Sequence, residues 1–402
     1  MTYNSRHGGF GMQNNRSSSS SSSRGRSKRP QGLNEDLYTK AAKEADVEIP
    51  TADKIDFSSY GLSPQILESL TKRGYHHPTE IQAKTIAGVL AGKDVVAISQ
   101  TGSGKTGGFL IPLLNEIKKS QDAGVVKKAL IVAPTRELAY QIDKELREFN
   151  LKRLNLFSLV CVGGMSIGDQ MHYLRKTNHF VIGTPGRLVD LAKRGFLKLD
   201  DFNMVVLDEM DRMLEMGFVE DITWIVDQIP QPKQSLYFSA TLNSAIRPIL
   251  SNMSPDAVYV ELQKPEPSRY VDQTMVAVTR GNKLTTLVSI LKDPEVTKAL
   301  VFVATKSMVE TVAEELARQE VLVDFIHGDK TQSSRMRVIE GFKKVKSGVL
   351  VATDVAARGL DVNDISHVIN FDEPKTREDY IHRIGRTGRN GKFGKAITMV
   401  NR

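Results

Sequence analysis

The 402-residue sequence predicts an α/β protein with two parallel-sheet domains in tandem behind a disordered basic N-terminal tail. Three observations carry that prediction. Short runs of branched apolar residues recur, each followed by a polar or glycine-containing loop and then a helical pattern, which is the rhythm of a parallel sheet with helical crossovers. The rhythm breaks around "LQKPEPSRY" (262–270) and then resumes. Ahead of it all, residues 1–34 hold too few apolar groups to form a core.

The tail, residues 1–34, contains "NNRSSSSSSSRGRSKRP" and carries Arg6, Arg16, Arg24, Arg26, Lys28 and Arg29 with no acid. Of the formal net charge of +8, only +2 therefore belongs to the rest of the chain. The basicity marks the tail, as a solvated linker or as an arm that holds a polyanion, and does not show that the globular part binds nucleic acid. Residues 35–56 form an N-terminal extension, with a short helix expected over "NEDLYTKAAKEADVEI" and ended by Pro50. The first domain, 57–262, has expected strands at "DVVAIS" (94–99), "ALIVA" (129–133), "FSLVCV" (157–162), "FVIG" (180–183), "MVVLD" (204–208) and "SLYFS" (235–239). Two prolines make residues 263–270 an extended linker. The second domain, 271–402, has expected strands at "ALVFVA" (299–304), "LVDFIHG" (322–328), "GVLVAT" (348–353), "SHVINF" (366–371) and "KAITMV" (395–400).

Composition excludes several classes. No apolar run approaches the roughly 20 residues that span a bilayer, and no apolar segment follows the N-terminal charges as a secretory signal would require. Cys161 is the single cysteine. No disulfide can close within the chain, Cys161 is expected to be a small buried residue, and a reducing, cytoplasmic setting follows.

Two stretches carry chemistry. "ISQTGSGKT" (98–106) follows a strand and precedes a helix, the setting of a phosphate-binding loop. Gly102 and Gly104 let backbone N–H groups turn inward around phosphate oxygens. Lys105 can reach β- and γ-phosphates, and Thr106 offers a hydroxyl to Mg²⁺. Ser99 stands where the general pattern has glycine. "VVLDEMDRMLEMGF" (205–218) ends a strand at three carboxylates, Asp208, Glu209 and Asp211. Such crowding needs a cation or solvation; alternatively Asp208 caps the following helix. Beside a phosphate loop, the reading is a metal site with Asp208 as ligand and Glu209 as the group that orients and deprotonates an attacking water.

Further short motifs follow in order: "PTEIQ" (78–82), "PTRELA" (134–139), "GG" (163–164), "TPGR" (184–187) and "SAT" (239–241), then "VFVAT" (301–305), "HGDKTQSSR" (327–335), "ATDVAARGLD" (352–361) and "HRIGRTGR" (382–389). With the loop and the carboxylates, the chain over about 57–402 resembles the DEAD-box ATP-dependent RNA helicases, in a compact bacterial-type form with a DEMD variant of the naming motif. The resemblance implies two RecA-like domains with ATP and Mg²⁺ as cofactors. It implies an RNA-dependent ATPase that locally unwinds or remodels RNA duplexes or RNA–protein complexes, and that works as a monomer, within ribonucleoprotein assemblies where present.

Residue by residue, the resemblance implies that Gln82 reads the adenine edge with Thr79, while Phe57 stacks on the base or is ordinary core. Gln100, Thr101, Gly102, Ser103, Gly104, Lys105 and Thr106 would hold the phosphates, with Asp361 on the ribose side. Asp208 and Thr106 would hold the metal, and Lys105, Asp208, Glu209, Arg386 and Arg389 would serve catalysis. The two arginines are expected one helical turn apart, in the second domain, so hydrolysis would require domain closure. Ser239 and Thr241 would couple the nucleotide site to RNA by hydrogen bonding to Asp211 and His382. RNA contacts would come from Pro134, Thr135, Arg136, Gly163, Gly164, Thr184, Arg187, Arg335, Thr353 and Gly359. These groups suit phosphates and sugar hydroxyls rather than base edges, so little sequence preference is expected for single strands or short duplexes.

The sequence departs from the family's pattern at four places. Met210 replaces alanine in the DEMD run, which puts the spacing between Asp211 and the Ser-Ala-Thr motif in question. Ser99 and the pair Gly107–Gly108 replace small alanines. The family normally continues beyond "KAITMVNR" through another helix, so the second domain reads as truncated, with an exposed sheet edge or face expected. An ATP-gated RNA clamp without turnover is the competing reading, and a DNA translocase, distinguishable by its indifference to 2′-hydroxyls, is a third.

Overall fold

The computed structural model describes residues 35–41, 55–99, 102–242, 246–262, 270–357, 362, 364–388 and 392–402. The expected tail at 1–34 and most of the expected linker at 263–270 lie outside the described residues. So does most of the helix expected to end at Pro50, but its beginning is described and is not α-helical. Glu35–Tyr38 is a single 3-10 turn, after which Lys40 pairs as an extended residue.

The first domain is one parallel sheet of β1 (Val95–Ile98), β2 (Ala129–Val132), β3 (Ser158–Cys161), β4 (Phe180–Gly183), β5 (Met204–Leu207), β6 (Gln234–Ser239) and β7 (Val258–Glu261), in the order β3-β4-β2-β5-β6-β1-β7. The second contains β8 (Val271–Val278), β9 (Lys298–Phe302), β10 (Val323–Ile326), β11 (Gly348–Ala352), β12 (His367–Asn370) and β13 (Gly394–Asn401), in the order β10-β11-β9-β12-β13-β8. Apart from β7, the two orders correspond strand for strand, with β8 in the place of β1 and β12 in the place of β5. The eleven expected strands form, and β7 and β8 are additional.

The strands are apolar throughout because helices cover both faces. Alternation sorts each strand between two cores. Val95 and Ala97 of β1 join Met204 and Val206 of β5 on one face, and Val96 and Ile98 join Val205 and Leu207 on the other. In the second domain Ala299 and Val301 face one core and Leu300 and Phe302 the other. Cys161 is fully buried at the end of β3, and burial pushes its thiol up to about 12, consistent with an inert packing residue.

The strand over 394–401 is not a sheet edge. It lies between β12 and β8, and β8 is the edge. Lys40 pairs antiparallel with Gln273 of β8 through two backbone hydrogen bonds of 3.1 and 2.8 Å. Tyr38 is fully buried against the same sheet, in a cluster with Val271, Tyr380, Ile384, Ala396 and Val400, its ring edge-on to Tyr380 at 5.1 Å. The face expected to be exposed is therefore covered in part by the N-terminal extension. No helix among the described residues is long and apolar enough to cross a membrane.

Candidate nucleotide and RNA site

Many of the described predicted site residues lie just beyond the carboxyl ends of the parallel strands, where an open α/β sheet presents its loops to ligands. In the first domain they divide by strand. The phosphate loop follows β1, the carboxylates follow β5 and the Ser-Ala-Thr run follows β6, and these three strands are neighbours. Pro134–Arg136, Gly163–Gly164 and Thr184–Arg187 follow β2, β3 and β4, the other half of the sheet.

In the phosphate loop Gly102 and Gly104 have φ of 82° and 94°, a left-handed backbone that other residues rarely adopt. Lys105 is the first residue of the helix Lys105–Asp122, with Thr106 half-buried beside it. Lys105 is buried and its ammonium donates to the carbonyl of Ser99, while the Ser99 and Ser103 hydroxyls bond at 2.7 Å. Burial lowers the Lys105 pKa, against the attraction of Asp208. Gln100 and Thr101 lie outside the described residues.

The helix after the carboxylate run, Met210–Glu215, has no side-chain cap, so Asp208 does not serve as one. Its Oδ1 accepts the Glu209 amide at 2.9 Å. Burial, with Glu209 alongside, pushes the Asp208 carboxyl up to about 7. Glu209 adopts φ 51°, a left-handed conformation costing about 1–2 kcal/mol in a non-glycine residue. Its Oε2 is buried with no hydrogen-bond partner. Among the described residues no three His, Cys, Asp or Glu side chains converge on a metal position. A buried carboxylate disfavoured by burial and by Glu209 beside it suits a divalent cation such as Mg²⁺, which binds through one or two carboxylates plus phosphates and water.

The third carboxylate does different work. Asp211 Oδ2 accepts the backbone N–H of Ala240 and of Thr241 at 3.0 Å each and the Thr241 hydroxyl at 3.2 Å. Met210, fully buried, leaves that link intact. Ser239 does not join it; its hydroxyl donates to the Thr241 carbonyl at 2.8 Å.

Phe57 is 2 % exposed and lies 6.5 Å from Tyr75 ring to ring. Thr79 and Gln82 form a capping box on the helix Glu80–Leu90, and both also hold the phosphate loop. The Thr79 hydroxyl donates to Ser103 O at 2.9 Å and Gln82 Nε2 to Gly104 O at 3.0 Å.

On the RNA half, Pro134 and Thr135 are buried, Thr135 capping the helix Arg136–Glu148. The Arg136 guanidinium lies against Gly163 and Gly164, where a Cβ on Gly163 would come within 3.2 Å of Nη2. Arg187 donates to Gln170 Oε1 at 3.1 Å, and Gln170, 5 % exposed, donates to Val162 O at 3.0 Å. Thr184 and Thr353 are half-buried at the ends of β4 and β11. Arg335 crosses to the first domain and pairs with Glu137 at 3.0 Å, where Gln332 also donates at 3.0 Å.

On the opposing wall, Arg386 and His382 line a cavity with Arg212, Asp354 and Arg383. The helix Arg377–Ile384 ends before Arg386, which is buried in the following turn. The expected helical pairing with Arg389 therefore does not hold at Arg386, and Arg389, Asp361 and Gly359 lie outside the described residues. Sequence reasoning missed Glu137, Gln170, Gln332, Arg212 and the buried Arg383, whose guanidinium grips Asp354 at 2.6 and 2.7 Å. Glu137 and Gln332 stand inside quoted motifs, a signal that was present; their pairing, 195 residues apart, was not.

Residues 79–249 match the DEAD/DEAH box helicase model and residues 282–391 the helicase conserved C-terminal domain. The chain is 42 % identical to the ATP-dependent RNA helicase CshA of Listeria monocytogenes, over 86 % of this chain and 66 % of that protein. It is 41 % identical to the DEAD-box ATP-dependent RNA helicase CshA of Geobacillus kaustophilus, over 86 % and 73 %. The chain thus spans about two thirds of the length of the curated relatives it matches. The structure of S. cerevisiae Dbp5 bound to RNA and ADP BeF3 superposes with a TM-score of 0.76 at 30 % identity, covering 86 % of this chain and 90 % of that one. Two corresponding parallel sheets, a phosphate loop beside the adjacent carboxylates Asp208 and Glu209, and relatives of this length and identity lead to one assignment: the chain belongs to the DEAD-box helicase family.

Proposed function

We propose that the chain is an RNA-dependent ATPase that separates short RNA duplexes or remodels RNA–protein complexes, in a cytoplasmic setting. The observation that supports this reading is the buried carboxyl of Asp208 between Lys105 and Glu209, with Glu209 Oε2 buried and without a hydrogen-bond partner. Thr106 and Asp208 would hold Mg²⁺, which would supply positive charge to the phosphates of ATP. Lys105 binds those phosphates from the first turn of its helix. Glu209 Oε2, lacking any other partner, accepts a proton from the attacking water and orients it.

Arg386 would meet the γ-phosphate from the second domain. Such arginines contribute about 10³ to 10⁵ in rate, so turnover waits for closure. The Glu137–Arg335–Gln332 contact supports a closed arrangement, with the loops after β2, β3 and β4 available to an RNA backbone. A strand bent by closure cannot keep its partner, and hydrolysis reopens the cleft. Asp211, through the Ser-Ala-Thr backbone, ties the carboxylates to β6.

The test is ATP hydrolysis with and without single-stranded RNA, for the wild type and Glu209→Gln. RNA-stimulated turnover lost in the variant is expected. Absence of turnover in the wild type, with RNA retained when ATP is present, would replace this reading by an RNA clamp.

A further inference from the structure

The helix Arg377–Ile384 carries His382 and Arg383 to the cavity they share with Arg212 and leads into the turn of Arg386. That helix rests in part on a residue from outside its domain. Tyr380 and Ile384, one helical turn apart, are buried in a cluster with Val271, Ala396, Val400 and Tyr38 of the N-terminal extension. The Tyr38 ring stands edge-on to that of Tyr380 at 5.1 Å. Gln273 joins the same two elements: its backbone pairs with Lys40, and its Oε1 accepts the Tyr380 hydroxyl at 2.8 Å.

The turn beyond the helix meets the cluster again. Arg386 N donates to Arg383 O and Thr387 N to Ile384 O, each at 3.1 Å, so the turn takes its course from the helix backbone. At Gly388 a Cβ would lie 2.6 Å from Val271 Cγ2, within the Tyr38 cluster. Arg386 is thus bracketed by Ile384 before it and Gly388 after it. Arg383 holds the helix by polar bonds, to Asn370 Oδ1 at 3.2 Å and to Asp354 at 2.6 and 2.7 Å. Such bonds fix one point and leave rolling about it open; close packing under Tyr380 and Ile384 removes that freedom.

We propose that Tyr38 is a positioning residue for hydrolysis: by filling the space beside Tyr380 and Ile384, the N-terminal extension sets the turn that presents Arg386 to the cleft. The inference rests on the reading of Arg386 given above. Loss of the ring leaves a void that its surroundings fill only in part. A displacement of about 1 Å remote from the chemistry can cost about a hundredfold in rate. Nucleotide binding by the first domain does not pass through this turn and stays unchanged.

The experiment measures RNA-stimulated ATP turnover and mant-ADP affinity of the full chain, at a temperature where the melting curve of each variant shows the folded state. The variants are Tyr38→Ala, the milder Tyr38→Leu in case alanine prevents folding, Tyr38→Phe, Arg386→Ala, Tyr38→Ala with Arg386→Ala, and Val312→Ala. Val312 is fully buried in the core shared by Val301 and Val309 and controls for lost stability alone. Tyr38→Ala should lower kcat about tenfold to a hundredfold, Tyr38→Leu less, and Tyr38→Phe and Val312→Ala not at all. Affinity for mant-ADP should stay at the wild-type value throughout. Because Tyr38 acts through Arg386, the double variant should be no slower than Arg386→Ala. Wild-type turnover in Tyr38→Ala and Tyr38→Leu would overturn the proposal, as would an equal loss in Val312→Ala or a further loss in the double variant. A wild type without RNA-stimulated turnover would overturn the reading of hydrolysis itself, and this inference with it.

Discussion

Lys105 and Lys283 occupy corresponding places in the two sheets. Each is the first residue of the helix that follows the first strand of its domain, β1 or β8. Each faces an aspartate just beyond the corresponding later strand, Asp208 after β5 and Asp372 after β12. In the second domain the two charges close on each other: Lys283 Nζ pairs with Asp372 Oδ1 at 2.7 Å and sits 4.3 Å from the Phe371 ring, while Asp372 Oδ2 accepts the Ala304 amide at 2.8 Å. In the first domain a longer, glycine-turned loop keeps Lys105 on the Ser99 carbonyl, and Asp208 is left buried with its carboxyl raised. The scaffold is the same. What differs is what each lysine is seen to hold: an aspartate for Lys283, a main-chain carbonyl for Lys105.

The most severe test of that distinction is alanine at each lysine. Lys105→Ala should lower RNA-stimulated ATP turnover by about 10² to 10³, the usual loss when one electrostatic clamp is removed. Lys283→Ala should leave turnover within about twofold but destabilise the second domain by about 2 kcal/mol, because Asp372 loses a charged partner. Equal losses of turnover from both, at unchanged melting temperature, would erase the contrast.

Next in size is the bridge between the halves. Arg335→Ala leaves Glu137 buried with Gln332 alone, and should lower RNA-stimulated turnover about tenfold while sparing basal hydrolysis. Glu137→Gln should act alike, and the double variant should be no worse than either, as residues in direct contact are not additive. Additive losses would show that the two act separately.

A smaller effect is expected at the N-terminal extension. Tyr38→Ala should cost the second domain about 2 kcal/mol, the scale of one buried large side chain, read as reduced amide protection along β8. Tyr38→Phe should cost nothing, since the Tyr38 hydroxyl is buried with no partner. A destabilised Phe variant would mean that the hydroxyl matters.

The smallest effect is one in which the domains should behave alike. His179, just before β4, and His367, the first residue of β12, both have lowered pKa values, chiefly from burial, helped by Lys128 and Lys395 respectively. A histidine whose folded pKa lies below its unfolded value stabilises the fold above about pH 6.5, and that contribution is lost as pH falls further. Denaturant midpoints at pH 7.5 and 5.5 should therefore fall together in both domains; a drop confined to one would deny the other histidine its role.

Most of the nucleotide site was legible because its parts are contiguous in sequence: strand, glycine turn, lysine and helix within one run, and three carboxylates within another. Contacts that close over long separations were not. Nothing in the sequence joins Lys283 to Asp372, 89 residues away, or Arg335 to Glu137. β7 was missed because it is an edge strand with Val258 and Tyr259 exposed, and β8 because Asp272, Gln273 and Thr274 interrupt its apolar pattern. Phe57 could be read as core or as a base platform, and its burial was not legible from the sequence. The expected helical spacing at Arg386 failed because the helix ends at Ile384.

The docking of Tyr38 and Lys40 on β8 means that the chain visits the second domain twice, before and after building the first. The halves are therefore joined in parallel, by residues 42–56 on one route and residues 263–270 on the other. The longer route could reach about 50 Å at full extension, enough to let the cleft open while keeping its walls at the millimolar effective concentrations typical of tethered partners. A protease cut within 263–270 would then leave a nicked molecule that still travels as one particle, released into halves only when the tyrosine is pulled from its socket.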